Sequence, residues 1–401
     1  SGSWSVSSIT VETGNTVYAY LDEGSVRGNT VLVSDATDQS DIPIMENRVI
    51  LRDDVNGSIT NTEISAGDTA DADDLISFSG SDITIASTYE THIYTGDTYA
   101  PGANVTTGKL HVVGDYSGST ETLTLTGSGT GTSRPLYIDG GTFTAPTNTI
   151  FQGSSDSSIE NQTYNNLSFT PTITGAAAYT FLGATSVNGD LEVNPTASTS
   201  QTLTVNLGGS LNIPSSSTLT LTGTTSGLST LDTVNGSDYS IQTGDINIAA
   251  AGTLTANDSI ITLTGTTGTL FTETGTFTAG GSTVVANPDA AVTLFSGAPT
   301  LFNLSLTPTI TDNRTYSVGS ALTIDGDFNI NPTAASSLTL TVNMEEAITV
   351  ASTGTTTIKG TTSGLSNLDT ASGSNHPLST GILDIQSQGT LTANNSTITL
   401  T

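Results

Sequence analysis

Apolar and polar residues alternate along most of this chain with a period of two. The pattern Leu-Thr-Leu-Thr occurs at 123–126, 219–222 and 338–341. Successive side chains of a β-strand point to opposite faces, so the alternation predicts strands with leucine on a buried face and threonine on a solvated face. Gly, Asn and Asp bound these segments, as turns require. The sequence therefore predicts an all-β protein with few helices.

One long stretch of sequence occurs twice. Residues 166–174, NLSFTPTIT, return as residues 303–311, NLSLTPTIT, and GTTSGL at 223 returns at 360 with the same offset. Positions expected to face inward stay apolar between the copies, whereas positions expected to face outward change. Such internal repetition is typical of stacked repeat architectures. We therefore define two repeat units, 121–264 and 265–401, and expect the second to end inside a longer array.

The length of the unit predicts its architecture. A unit of about 137 residues divides into roughly six turns of about 23 residues, within the range of repeats that form one turn each. This arithmetic favours a parallel β-solenoid. The dipeptides Asn188-Gly189 and Asp325-Gly326 are typical of type I′ hairpins, and they favour the alternative of tandem antiparallel β-sandwiches.

Residues 1–105 differ from the repeats. They contain the single tryptophan, Trp4, and three of the seven basic residues of the chain. Short alternating segments such as 17–20 and 49–51, bounded by Gly, Asn and Asp, are typical of antiparallel β-sandwiches. We predict a β-sandwich-like N-terminal domain over 1–105, with a connector up to about residue 120.

Composition and charge narrow the classes of partner. Charged residues make up 11% of the chain, and 37 acidic residues against 7 basic ones give a formal charge of −30. A surface of this sign repels nucleic acids and anionic membranes. The chain has no cysteine, which excludes disulfides and thiolate metal sites. It also contains no run of about 18 apolar residues, so no membrane insertion is expected.

One acidic run is a candidate metal site. Asp68, Asp71, Asp73 and Asp74 lie close together in a predicted loop and supply the oxygen ligands that Ca²⁺ prefers. The run lacks the glycine and the terminal glutamate of a helix-loop-helix calcium loop. Two interpretations stay open, a Ca²⁺ site and a solvated acidic loop.

The histidines give no metal or catalytic signal in the sequence. His92, His111 and His376 lie far apart in the chain, and Tyr239 stands at the position of His376 in the other copy. A metal site repeated with the unit is therefore not expected, and each histidine is predicted to lie on the surface.

Two pairs of aspartates recur with the repeat, Asp190/Asp327 and Asp232/Asp369. Paired carboxylates could act as in glycoside hydrolysis. Each aspartate follows or flanks a turn signal, however, where its side chain ordinarily accepts hydrogen bonds from backbone. We predict structural roles for all four, no catalytic residue, and no enzymatic activity.

Several segments resemble a known kind of protein. Residues 92–111, the GTFTA segments at 141 and 275, and 164–174 are similar to the large Thr/Gly-rich β-strand-repeat surface proteins encoded by uncultivated ultrasmall bacteria. The resemblance implies a secreted protein at the cell surface. Because its motifs are structural, it implies no catalytic residue.

These observations predict a non-enzymatic extracellular structural protein, a protomer of a surface filament, sheath or surface layer that assembles by end-to-end β contacts. A strand containing Val6, Ile9 and Val11 is predicted to add to the open edge of a neighbouring copy. The alternative is an adhesin stalk or fibre that binds or cleaves surface carbohydrate. The expected partners are thus further copies of the chain, with surface glycans as the alternative.

Overall fold

The computed structural model describes residues 5–6, 10–21, 26–37, 39, 41–55, 57–68, 75–371 and 373–401. The fold is all-β, with stacked parallel coils that form a β-solenoid of about 15 turns. The solenoid prediction is confirmed over the tandem sandwiches. The chain divides into two compact units, Ser1–Glu160 and Asn161–Thr401. This division falls inside the predicted first repeat unit, 121–264, and the predicted domain boundaries stay a prediction.

The described part of unit 1 is built of short strands, one α-helix, α1 (Asn61–Gly67), and one turn of 3-10 helix, Gly131–Ser133. Its strands are β1 (Thr16–Tyr20), β2 (Asn29–Val33), β3 (Arg48–Asp53), β4 (Ile76–Ser79), β5 (Asp82–Ile85), β6 (Glu90–Ile93), β7 (Thr98–Tyr99), β8 (Val105–Thr107), β9 (Lys109–Val112), β10 (Asp115–Ser117), β11 (Thr122–Leu125), β12 (Leu136–Ile138), β13 (Phe143–Thr144), β14 (Asn148–Phe151) and β15 (Ser157–Ile159).

Strands β1 to β14 of unit 1 lie in three sheets. Sheet I has the order β1-β2-β3-β6-β9-β12, sheet II the order β7-β10-β13, and sheet III the order β4-β5-β8-β11-β14. Pairing is antiparallel between β1 and β2 and between β4 and β5, whereas β2, β3, β6 and β9 pair in parallel. The antiparallel sandwich predicted for 1–105 is therefore wrong. Alternation with a period of two is the same in both kinds of sheet, so it could not reveal the direction of the neighbouring strand.

Helix α1 packs on the outermost strand of sheet I. Thr60 and Glu63 form a capping box at its N-terminus, which satisfies backbone N–H groups that would otherwise lack partners. On β1, the Thr16 hydroxyl donates to the carbonyl of Glu63 at 2.8 Å, and the Tyr18 hydroxyl donates to that of Ile64 at 2.6 Å. Across the described residues, no helix is long and apolar enough to cross a membrane.

Unit 2 consists of strands throughout. They are β16 (Thr163–Tyr164), β17 (Asn166–Phe169), β18 (Thr172–Ile173), β19 (Ala177–Phe181), β20 (Thr185–Val187), β21 (Leu191–Val193), β22 (Thr196–Ala197), β23 (Gln201–Asn206), β24 (Leu211–Asn212), β25 (Thr218–Leu221), β26 (Gly227–Asp232), β27 (Ile241–Thr243), β28 (Asp245–Ile248), β29 (Gly252–Thr255), β30 (Ile260–Leu263), β31 (Thr269–Glu273), β32 (Thr276–Thr278), β33 (Thr283–Ala286), β34 (Val292–Ser296), β35 (Thr300–Leu301), β36 (Asn303–Leu306), β37 (Thr309–Ile310), β38 (Arg314–Val318), β39 (Leu322–Ile324), β40 (Phe328–Ile330), β41 (Thr333–Ala334), β42 (Leu338–Met344), β43 (Ile348–Val350), β44 (Thr355–Ile358), β45 (Gly364–Asp369), β46 (Leu378–Thr380), β47 (Ile382–Ile385), β48 (Gly389–Thr392) and β49 (Ile398–Leu400).

The chain of unit 2 visits three sheets in each turn. Sheet IV runs β17-β21-β25-β28-β31-β34-β38-β42-β45-β48, and sheet VI runs β16-β20-β24-β27-β30-β33-β36-β40-β44-β47. In each turn the chain passes from sheet IV to a third sheet and then to sheet VI. In the earlier turns the third sheet is sheet V, β19-β23-β26-β29-β32, and in the later turns it is sheet VII, β35-β39-β43-β46-β49. Strand pairs β18-β22 and β37-β41 add short two-stranded corners.

The core of unit 2 is a set of apolar stacks along the coil. In sheet IV, Leu191, Leu219, Ile246, Phe271 and Phe295 are successive register partners, and each is at most 1% exposed. Burying one side chain of this size stabilises the fold by about 1.5–3 kcal/mol. The residues that follow them on the strands are polar and half-buried or exposed: Glu192, Thr220, Asn247, Thr272 and Ser296. The predicted division into an apolar inner face and a polar outer face is confirmed here.

The sequence repeat does not match a whole number of turns. The segment at 166 forms β17 in sheet IV, but its copy at 303 forms β36 in sheet VI. From β17 to β34 the chain completes five turns, and β35 and β36 add two further sides of the coil. One repeat unit therefore spans five and two-thirds turns. The predicted number of about six turns per unit is close to the observed number. The unit is not a whole number of turns, however, so the two copies of a segment lie in different sheets.

Candidate metal centre

Parallel strands of sheet I bring two histidines together. His92 in β6 and His111 in β9 are register partners, and Ile50 in β3 and Tyr137 in β12 take the same position on the flanking strands. Glu90 lies two residues before His92 and therefore projects from the same face of β6. The core-facing residues of β6 are on the opposite face. The cluster thus follows from the register of the solenoid.

Three side-chain atoms converge in this cluster. The Nδ1 atoms of His92 and His111 are 3.1 Å apart, and Nδ1 of His111 is 3.1 Å from Oε1 of Glu90. Nδ1 of His92 is 3.8 Å from the same carboxylate oxygen. The imidazole rings meet edge to face, with centroids 4.7 Å apart. Both histidines are buried, with exposed fractions of 8% and 9%.

Glu90 is ionised in the folded protein. Burial acts to raise the pKa of its carboxyl group, but hydrogen bonds to His111 and His92 and the charge of Arg48 outweigh burial and lower the pKa from 4.5 to about 2. The ion pair between Nε of Arg48 and Oε1 of Glu90 is 2.9 Å long. The cluster therefore contains a permanent negative charge at neutral pH.

The second nitrogen of His111 faces another carboxylate. Nε2 is buried and forms no hydrogen bond to any described residue, and Oδ2 of Asp139 lies 3.6 Å away. The ring of Tyr137 stacks on the imidazole with centroids 4.7 Å apart and planes inclined at 25°. The guanidinium of Arg134 lies 4.4 Å from the centroid of the same tyrosine ring. These contacts fix the orientation of the His111 ring.

The cluster has the donor set of a transition-metal site. Two imidazole nitrogens and one carboxylate oxygen are ligands of zinc and related metals, whereas Ca²⁺ prefers sites made of oxygen alone. Without a metal, the hydrogen bonds among the three atoms depend on which ring nitrogens carry protons. The arrangement can therefore hold either a proton or a metal ion.

The prediction of surface histidines is wrong for His92 and His111. Both are buried, and they are direct neighbours on adjacent strands although they lie well apart in the sequence. Their spacing in the sequence is close to the length of one solenoid turn, and this is the only signal in the sequence that places them together. The prediction of a sandwich over 1–105 gives this spacing no meaning, because a sandwich has no turn period. His376 is half-buried, and its backbone N–H donates to the carbonyl of Thr370.

The acidic run predicted to bind Ca²⁺ is described at one residue. Asp68 ends helix α1, and its backbone N–H donates to the carbonyl of Ser65 at 3.3 Å. Asp71, Asp73 and Asp74 lie outside the described residues. The calcium site and the alternative of a solvated loop both stay predictions.

The predicted assembly strand is described in part. Val6 is 64% exposed and Val11 is half-buried, and neither residue belongs to a strand. Ile9 lies outside the described residues. The addition of this segment to a neighbouring copy stays a prediction.

The recurring aspartates accept hydrogen bonds from backbone groups. Oδ1 of Asp190 accepts from the N–H of Thr218 in the next turn at 2.9 Å, and Oδ1 of Asp327 accepts in the same way from Thr355. Asp232 instead caps its own turn, since Oδ1 accepts from the N–H of Val234 at 2.7 Å. The fourth aspartate, Asp369, makes the same bond to Ala371. The expected hydrogen bonds to backbone are thus present at all four residues, and the absence of a catalytic role stays a prediction.

Comparison of the chain with protein-family models, with curated proteins and with solved structures gives no match. Family membership therefore contributes nothing to the assignment of a function. The geometry of the solenoid and of the cluster formed by Glu90, His92 and His111 is the basis for one.

Proposed function

We propose that the protein is a non-enzymatic structural protein of the cell surface, a protomer of a filament, sheath or surface layer that grows by end-to-end β contacts. The observation that carries the proposal is the stacking of turns in unit 2. In sheet IV, every strand from β21 to β45 pairs in parallel with one strand of the preceding turn and one of the following turn. Each turn of the coil is therefore built to receive another turn on either side.

Pairing of the same kind supplies a contact between two copies. Strand edges that no neighbouring strand covers readily recruit another β-strand. Where a turn of one copy meets a turn of another, their backbone groups would pair as those of successive turns do, and the contact would cover apolar side chains of the kind that stack inside the coil, such as Leu219 and Ile246. A head-to-tail contact that does not close on itself produces a fibre.

Composition supports a location outside the cell and a passive role. The solvated faces are rich in threonine, serine and asparagine, and the formal charge of −30 keeps separate filaments apart. Two shallow depressions on unit 2 are lined by Thr, Ser, Gly, Asn, Gln and aliphatic residues. Neither includes the paired carboxylates and aromatic side chains that a carbohydrate-cleaving groove needs.

Electron microscopy of the purified protein tests the proposal. We expect filaments whose length increases with protein concentration. If the turn that contains Ile385 and Leu400 forms the contact, the double variant Ile385→Lys/Leu400→Lys should remain monomeric and folded, because these side chains are 46% and 65% exposed and lie outside the covered core. Leu182→Lys is a matched control, since Leu182 is 47% exposed in a different turn. Wild-type protein that stays monomeric at all concentrations would refute end-to-end assembly.

Two further experiments test the proposed role of Ca²⁺ and the adhesin alternative. Grids prepared with EGTA test the acidic run, since loss of the filaments would assign a role in assembly to Ca²⁺. A panel of surface polysaccharides tests the adhesin alternative. Turnover of any of them would overturn the non-enzymatic assignment.

A further inference from the structure

We propose that Glu90, His92 and His111 form a binding site for a divalent transition metal, with zinc as the reference ion. The ligand atoms are the Nδ1 atoms of the two imidazoles and one carboxylate oxygen. The site takes no part in the end-to-end contact proposed above, so it goes beyond the proposed structural function.

The distances between the ligand atoms fit a zinc site. With bonds of about 2.0–2.1 Å to zinc, the ligands of a tetrahedral site lie about 3.3–3.4 Å from one another. The three separations in the cluster are 3.1, 3.1 and 3.8 Å, close to that value and on both sides of it. Movements of the side-chain atoms by a few tenths of an ångström would make the three separations equal. A water molecule would complete the coordination, as in other sites with three protein ligands.

The number of lone pairs in the cluster exceeds the number of protons. In the tautomers that place the N–H of His111 on Nδ1 and that of His92 on Nε2, Nδ1 of His92 and Oε1 of Glu90 both approach Nδ1 of His111 as acceptors. A single N–H directed at two acceptors cannot form two good hydrogen bonds. A metal ion accepts all three lone pairs at once, and its charge balances the buried carboxylate.

The surrounding residues are placed as the outer partners of a metal site. Histidines that bind a metal usually direct their other ring nitrogen to a carboxylate, which fixes the tautomer and the ring orientation. Nε2 of His111 faces Oδ2 of Asp139 at 3.6 Å and has no hydrogen-bond partner among the described residues. Arg48 pairs with Glu90 at 2.9 Å and holds the carboxylate in place. This arrangement is an observation separate from the convergence of the ligands.

The donor set selects the class of metal. Imidazole suits zinc, copper, nickel and cobalt, whereas Ca²⁺ and Mg²⁺ require oxygen ligands. Because His92 lies in β6 and His111 in β9, a bound ion would cross-link two successive strands of sheet I. The expected consequence is a more stable unit 1.

Metal titration of the full chain tests the proposal. Protein freed of metal with EDTA should bind one Zn²⁺ per chain in calorimetry, and excess Ca²⁺ should not compete. Co²⁺ in place of Zn²⁺ should give the intense visible absorption of tetrahedral coordination, and X-ray absorption should show imidazole scattering. These measurements use unaltered protein, so they do not depend on whether a variant folds.

Variants then assign the ligands. His92→Gln and Glu90→Gln should each lower the affinity for Zn²⁺ at least ten-fold, and Asp139→Asn should lower it by about ten-fold as an outer partner. His376→Gln is the matched control and should bind as wild type. Absence of stoichiometric Zn²⁺ binding, or equal affinity in the ligand variants, would overturn the proposal and leave the cluster as a hydrogen-bonded network.

Discussion

Asparagine and aspartate side chains in this solenoid accept hydrogen bonds from backbone groups at the corners between strands. Oδ1 of Asn166 accepts from the N–H of Asp190, and Oδ1 of Asp190 accepts from the N–H of Thr218 one turn further. In the second copy, Asn303 and Asp327 repeat both bonds. These side chains therefore link the corners of successive turns.

Asp245 is an exception at the same scale. Burial raises its pKa from 3.8 to about 6, and its Oδ1 atom is buried without a hydrogen-bond partner among the described residues. An acid whose pKa rises on folding binds its proton more tightly in the native state. Its stabilising effect is therefore full below about pH 4 and is lost as the pH rises through about 6.

Asp245→Asn should consequently stabilise the protein at pH 7.5 and change little at pH 4. A pKa shift of this size corresponds to a free-energy difference of about 3 kcal/mol. Solvent screening of the half-exposed side chain reduces the expected change in the free energy of unfolding to about 1 kcal/mol. Unfolding by urea, followed by circular dichroism at both pH values, measures the difference. Asp97→Asn should show the same dependence in unit 1, because burial also raises the pKa of Asp97 to about 6. Lower stability of Asp245→Asn at pH 7.5 would contradict the argument.

At the scale of the element, the recurring GTTSGL segments form a tight corner. The N–H of Gly227 donates to the hydroxyl of Thr224 at 2.9 Å, and Gly364 donates to Thr361 in the second copy at 3.0 Å. A side chain at Gly227 would approach the carbonyl oxygen of Pro195 in the preceding turn to 2.5 Å. The close approach of stacked backbones explains why glycine stands there in both copies.

Gly227→Ala should therefore destabilise the protein by about 1–3 kcal/mol, the usual cost of overpacking. Gly175→Ala is the matched control, because no atom lies within 4 Å of the side chain it would add. Thermal unfolding monitored by circular dichroism compares the two variants with wild type. Equal melting temperatures for both variants would show that the backbone at 227 yields without strain.

The sequence predicted which faces of the strands are buried, but it could not predict which strands are neighbours. Leu219 and Leu221 follow the alternation and are fully buried. The length of a turn, however, varies with its corner loops. The sequence separation of partners in adjacent turns is 19 for His92 and His111 and 30 for Asn212 and Gln242. Because the length of a turn varies, the sequence does not reveal which residues are register partners. It is this register that brings the two histidines together.

Assembly belongs to the scale of the whole molecule, where the net charge opposes it. At a formal charge of −30, approaching copies repel one another over a Debye length of about 30 Å at 0.01 M salt and about 8 Å at 0.15 M. Screening would leave apolar contacts between the turns of two copies in place. End-to-end association should therefore depend on salt.

Raising NaCl from about 0.01 to about 0.15 M should lengthen the filaments, and light scattering at fixed protein concentration measures this directly. The Ile385→Lys/Leu400→Lys variant serves as the control, because general aggregation would increase in it as well. Filaments that shorten with added salt would show that charge pairing, and not apolar contact, holds the ends together.

The fractional turn count of the repeat determines how an array of such units would present its surface. A unit of five and two-thirds turns follows a three-fold screw, so each unit offers a given side chain in a direction rotated by one third of a circle from the last. The original direction returns after three units and seventeen turns, an axial distance of about 80 Å. A fibre built in this way would display the same chemistry toward three sides, and neighbouring fibres could dock from any of them.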